Sequence, residues 1–141
     1  MKTPWHLWVV GIVSLLWNAG GAFDYVVTET GNQAYLSNFT PDQLEYFNSF
    51  PAWMVAAWAT AVWGGVLGSV LLLMRSGLAV LIFALSLLGM VAAMLYSFVL
   101  SGVDYLGLMG AAAGWFSLAI AVVAVLLFIY ARRMRQAGVL G

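Results

Sequence analysis

Four long apolar stretches free of Asp, Glu, Lys and Arg alternate with polar breaks along the chain. They run from about 5 to 22, 52 to 74, 78 to 100 and 106 to 131. A bilayer core of about 30 Å takes roughly 20 helical residues at about 1.5 Å rise each, so each stretch predicts one membrane-crossing helix. Only Arg75, Ser76 and Gly77 separate the second stretch from the third, which forces an antiparallel hairpin. Ser101 to Tyr105 joins the third to the fourth almost as tightly.

The connection 23–51 is longer, and a segment of that length in a compact protein is usually functional or ordered against the body. Within it, Thr40-Pro41-Asp42-Gln43 reads as a helix start. Thr40 can cap, Pro41 suits the first helical position, and Gln43 completes a capping box. Asp42 and Glu45 follow where the helix dipole favours negative charge. Leu44 and Phe47 give this helix an apolar side, with Phe50 and Tyr46 less well in phase, and Pro51 ends it. The pattern predicts an amphipathic helix over about 41–49, lying on the outer interface or across the bundle mouth. The predicted fold is all-α: one membrane domain over residues 1–141, an up-down bundle of four transmembrane helices with this short helix in the outer loop.

Composition agrees and excludes several functions. Of 141 residues, 65% are hydrophobic and 7% charged, against about 25% charged in a soluble domain. So few charges cannot coat a water-facing surface, so the expected partner is the lipid bilayer. A cytosolic enzyme, a nucleic-acid binder and a disordered tail are excluded. Without cysteine there is no disulfide, thiolate metal site, iron–sulfur cluster or cysteine nucleophile, and the lone His6 makes neither a metal site nor a proton relay. No cofactor or metal is expected. No nucleophile elbow, zinc-helix motif or phosphate loop occurs, and a serine enzyme would need His6 and an acid from opposite membrane faces, so an enzyme is not expected.

Charge adds an orientation. Lys2, Arg75, Arg132, Arg133 and Arg135 thread to one side, and Asp24, Glu29, Asp42, Glu45 and Asp104 to the other. The positive-inside rule then puts both termini in the cytoplasm, with a bacterial inner membrane as the expected location. Lys2, the apolar run and Ala19-Gly20-Gly21-Ala22 also have the outline of a cleaved signal peptide. Trp5, Trp8, Trp17 and the polar Asn18 argue against cleavage.

A few positions stand out from this background. Asn18 is the one strongly polar side chain within a span; Ser14 and Ser86 are its expected partners, and its alternatives are an interhelical hydrogen bond or a contact to a solute. Gly64, Gly68, Gly89, Gly110 and Gly114 lie in ladders of small residues that predict close helix packing or a self-association face. Asp24-Tyr25 and Asp104-Tyr105, with Glu29 and Tyr35 nearby, are expected at the outer face. There they would bind a cation, a sugar hydroxyl or a basic partner, or simply suit the membrane boundary. Trp58, Trp63 and Trp115 lie deeper, where they would line a pocket or fill space against glycines. No carboxylate lies inside a predicted span, so proton-coupled transport loses its usual carrier.

The run Phe23-Asp24-Tyr25, Tyr35-Leu36, Gln43-Leu44-Glu45-Tyr46-Phe47, Pro51-Ala52-Trp53, Trp58-Ala59 and Val62-Trp63-Gly64-Gly65 resembles a family of small bacterial inner-membrane proteins. The similarity covers roughly the first half of the chain. Members are sometimes labelled sugar transporters, and the resemblance implies that the outer loop and second span are the distinguishing part. It brings no catalytic or binding residues with it.

Two functional expectations follow. One is a protein that works by contact, as an accessory or stabilising subunit of a larger membrane complex; it expects a filled interior and small or aromatic residues facing outward on one side. The other is a small transporter, working as a homo-oligomer, for an uncharged solute such as a sugar; it expects Asn18 and Tyr96 to face an interior cavity.

Overall fold

The computed structural model describes residues 3–141, so Lys2, one of the cations assigned to the inner side, lies outside the described residues. Among the described residues the chain is helical throughout, with no strand. In order come α1 (Trp5–Glu29), α2 (Gln33–Leu36), α3 (Pro41–Asn48), α4 (Ala52–Leu73), α5 (Leu78–Leu95), α6 (Tyr105–Met109) and α7 (Ala111–Gln136). Four segments are long and apolar enough to cross a bilayer: α1, α4, α5 with its continuation to Leu100, and α7. The chain is a multi-pass membrane protein of the all-α class.

Three predicted boundaries need correction. Helix α1 does not stop at 22 but continues to Glu29, so Asp24, Tyr25 and Glu29 are helical. Gly20 and Gly21 do not break it, because inside a hydrogen-bonded helix glycine costs only about 1 kcal/mol. The chain turns instead at Gly31, which has φ +69°. The fourth span is split at Gly110 (φ 94°, ψ 161°), a conformation open essentially to glycine alone. It consists of the short α6 and then α7, which runs past 131 through its arginines to Gln136. The third span is regular only to Leu95, after which Tyr96–Leu100 opens into a wider π-type turn. Hydropathy marks where polarity changes, and helical hydrogen bonding continues through the interface beyond it.

The outer-loop helix forms as its cap predicts. The Thr40 hydroxyl accepts from the Gln43 amide at 3.2 Å, and the Gln43 side chain accepts from the Thr40 amide at 3.0 Å. The Gln43 side-chain amide also donates to the Leu108 carbonyl at 3.1 Å. That bond ties α3 to α6, so α3 lies across the bundle mouth.

Packing runs α1 on α4, α4 on α5 and α5 on α7, while α1 and α7 meet only sparsely. Glycines set the α4–α5 approach. A β-carbon on Gly64 would come 2.9 Å from Ser86, one on Gly68 2.7 Å from the Phe83 ring, and one on Gly89 2.7 Å from the Ala57 carbonyl. In lipid such close backbone approach holds helices together. Gly114 packs on Leu106 within its own segment, and Gly110 faces open space. Gly114 thus packs α7 on α6, and neither glycine joins two spans.

The two ends of the bundle differ. At the end carrying Arg75, Arg132, Arg133 and Arg135, Leu7, Leu72, Ala79, Phe83, Leu127, Ala131 and Leu140 form a closed apolar core. His6 Nδ1 and the Tyr130 hydroxyl share a 2.6 Å hydrogen bond across the α1–α7 seam. The Gly77 amide donates to the Gly141 carbonyl at 2.7 Å and the Gly141 amide to the Arg75 carbonyl at 2.8 Å, clasping the last residue to the α4–α5 turn. The opposite, acidic end holds the loop helices, and there the interior is open.

Candidate functional site

The acidic half of the bundle holds a chamber of about 750 Å³. Its size falls within the range of small-molecule sites, about 300–1,000 Å³. The α1 face contributes Trp17, Asn18, Gly21 and Asp24, and the α7 face Ala113, Phe116, Ser117 and Ile120. Phe83 and Leu127 close the floor and belong also to the packed core of the arginine end. Phe39, Tyr46, Phe47 and Phe50 roof it. The lining is predominantly apolar, with one carboxyl group and, among the described residues, no basic side chain.

Midway down, the Asn18 side-chain amide donates to the Ser14 carbonyl at 2.8 Å and to the Ser69 hydroxyl at 3.3 Å. Its carbonyl oxygen rests against Gly65, where a β-carbon would collide with it. Ser86, the other predicted partner, instead donates to the Ala61 carbonyl at 2.6 Å, because Gly64 draws it onto α4. Asn18 is therefore held by α1 and α4 while also lining the chamber.

Near the mouth, the Tyr35 hydroxyl donates to the Asp24 carboxylate. Burial, reinforced by the carboxylate beside it, pushes the Tyr35 phenol well above its usual range, so it stays protonated and keeps donating. Across from this pair, Tyr46 is 4% exposed and its hydroxyl has no hydrogen-bond partner among the described residues. Ser97 and Ser101 stand beside it without completing a bond. Burial raises the Tyr46 phenol as well. An unpaired buried hydroxyl costs about 1–3 kcal/mol.

The roof is an aromatic network. Tyr46 packs edge-on to Phe50 at 5.1 Å between ring centroids and reaches Tyr105 at 6.3 Å. Phe50 continues to Trp58 at 6.1 Å and Tyr96 at 5.7 Å, and Trp58 to Tyr25 at 5.0 Å. Such pairs contribute about 0.5–1.5 kcal/mol each beyond the area they bury.

The structure separates the polar positions singled out from the sequence. Asn18, Asp24, Tyr35 and Tyr105 line the chamber. Tyr96 does not; it packs between Phe50 and Trp53. Tyr25 packs on Trp58, and Glu29 is exposed at the end of α1. Asp104 caps α6 by accepting from the Gly107 amide at 3.1 Å, so the two Asp-Tyr pairs do not form one site. Of the deep tryptophans, Trp58 lines the chamber, whereas Trp63 and Trp115 face outward, 46% and 72% exposed. Tyr46 is the functional candidate that sequence reasoning passed over. Its only sequence signal is a hydroxyl on the apolar side of an amphipathic helix.

No family model matches the chain, and neither a curated protein nor a solved structure is significantly similar to it.

Proposed function

We propose that this chain is a small carrier for an uncharged solute in a bacterial inner membrane, with the chamber of the acidic half as its loading site. The observation that carries the reading is the chamber itself: it is unfilled beneath the α3 roof, sealed at the arginine end, and lined by Asn18, Asp24, Tyr35 and Tyr46 within an apolar wall. A subunit acting only by contact has no use for an unfilled interior with an unpaired buried hydroxyl, since both cost stability. By the positive-inside rule the arginine end faces the cytoplasm and the chamber opens outward. Release to the other side then requires the seal around Leu7, Phe83 and Leu127, and the His6–Tyr130 bond, to open. A single bundle has little mass with which to alternate, so the working unit is expected to be a homo-oligomer.

The test is transport by purified protein in proteoliposomes. Two neutral probes cover the class: radiolabelled glucose moving across the bilayer and a fluorescent acylglycerol moving between leaflets. Saturable movement of either probe, abolished by Asn18→Leu, supports the carrier. Rates equal to those of empty vesicles for both probes refute it.

A further inference from the structure

We infer that the chamber's occupant is an uncharged, hydroxyl-bearing amphiphile of the bilayer, its head beneath the α3 roof and its chain leaving between α1 and α7. This rests on the carrier reading and narrows its substrate class. Four observations point the same way.

The first is the seam. Leu16 on α1 and Phe116 on α7 both line the chamber and are 68% and 56% exposed, so the chamber wall is open to the surroundings between these helices. In a membrane those surroundings are lipid. Trp17 and Phe116 face each other across the seam at 5.7 Å between ring centroids, and on the mouth side of them Gly20 leaves open space beside it. A solute that lives in the bilayer reaches the chamber there without crossing water.

The second is the distribution of polarity. Tyr46, Asp24 and Tyr35 gather under the roof, Asn18 lies midway, and the floor toward Phe83 and Leu127 is apolar. A free sugar presents hydroxyls on every side and would leave most of them unpaired here, at a cost this lining does not offset. An amphiphile matches the gradient.

The third is charge. With a carboxylate in the lining and no basic side chain among the described residues, a phosphate-bearing head is repelled and left without partners.

The fourth fixes the head's chemistry. The Tyr46 ring is part of the chamber wall but its hydroxyl is occluded behind it, so the charged group that meets the head is the Asp24 carboxylate. The Asp24 carboxylate can only accept, so its partner must carry an O–H or N–H, which for an uncharged head is a hydroxyl or an amide. A head with acceptors alone leaves Asp24 with Tyr35 as its donor; a hydroxylated head adds a second.

The test uses full-length protein in nanodiscs with a monoacylglycerol carrying a photoreactive diazirine in its acyl chain. The expected adducts fall on chamber residues such as Trp17 and Phe116 and are competed by unlabelled monoacylglycerol but not by glucose. Asp24→Leu, which removes the acceptor under the roof, should weaken competition by about tenfold, the loss of one hydrogen bond. Gly20→Leu, which meets no neighbour, should slow labelling by narrowing the seam. Adducts confined to outward residues such as Trp115 would overturn the inference, as would an equal yield from a diazirine phosphatidylglycerol. A seam found covered by a second copy of the chain would overturn it too. If tritiated glucose then binds saturably, the carrier reading survives with a different substrate; if neither probe binds, both fall.

Discussion

Asn18 on α1 sits against Gly65 on α4 so closely that no β-carbon fits between them. This part-buried polar side chain within the first apolar span is thus admitted by a missing side chain on its neighbour, and the pair sets the α1–α4 wall of the chamber. Gly65→Ala should therefore destabilise by about 1–3 kcal/mol through overpacking, and Asn18→Ala alone by about 0.6 kcal/mol. The double variant should cost less than the sum, because the second change removes the group with which the first collides. Unfolding in mixed micelles, arranged as a double-mutant cycle, measures the coupling.

The Tyr35–Asp24 bond predicts a pH dependence. Burial, and then the carboxylate it donates to, raise the Tyr35 phenol above its ordinary value of 10.0. A group whose folded pKa is raised contributes stability that is complete below the unfolded value and is lost as pH climbs above it. Thermal stability should fall as pH rises beyond about 10, and Tyr35→Phe should flatten that fall while lowering stability at neutral pH. Tyr46, also raised by burial, acts in the same direction. A melting series from pH 8 to 11 on both proteins checks the sign.

Gly110 predicts a backbone effect free of packing. It has φ 94° and ψ 161°, and a β-carbon there would meet nothing within 4 Å. Gly110→Ala should still cost about 1–3 kcal/mol, since the conformation itself is closed to other residues. Gly20→Ala, also unobstructed but helical, should instead stabilise slightly. Comparing the two melts isolates the conformational contribution.

These contrasts show how far the sequence reaches. Uncharged runs are sufficient to place four spans, because lipid demands length and apolarity of any helix that crosses it. The capping box at Thr40 and Gln43 is legible because its chemistry lies within four consecutive residues. The break at Gly110 is not, since glycine tolerates both helix and left-handed backbone and nothing local says which is used. Asn18 is conspicuous in sequence, but its partner Ser69 and its contact with Gly65 depend on the rotation of α4 relative to α1, which an apolar helix with small residues on several faces does not encode. Tyr46 was hidden for a related reason. An aromatic on the apolar side of a helix reads as packing, and only the fold shows that its hydroxyl is left unpaired behind a chamber wall.

The seal at the arginine end predicts a fourth outcome. Leu140 is 4% exposed and joins the core with Leu72 and Phe83, brought there by the Gly141 clasp to Arg75 and Gly77. Leu140→Ala should destabilise by about 2–4 kcal/mol as a cavity opens in a packed site. Tyr130→Phe, which loses only the bond to His6, should cost less, at about 0.5–1.5 kcal/mol. Chemical unfolding of the two variants tests that ranking.

The central claim is that the open half of the bundle holds an uncharged solute, and equilibrium binding tests it most directly. Wild-type protein in nanodiscs would be titrated with tritiated monoacylglycerol and, separately, tritiated glucose, alongside Ser117→Phe, which adds bulk to the α7 wall and leaves Asn18, Asp24, Tyr35 and Tyr46 in place. Saturable binding of one probe by the wild type, and its loss in Ser117→Phe, are expected. Binding that is absent from both proteins, or the same in both, would contradict the claim.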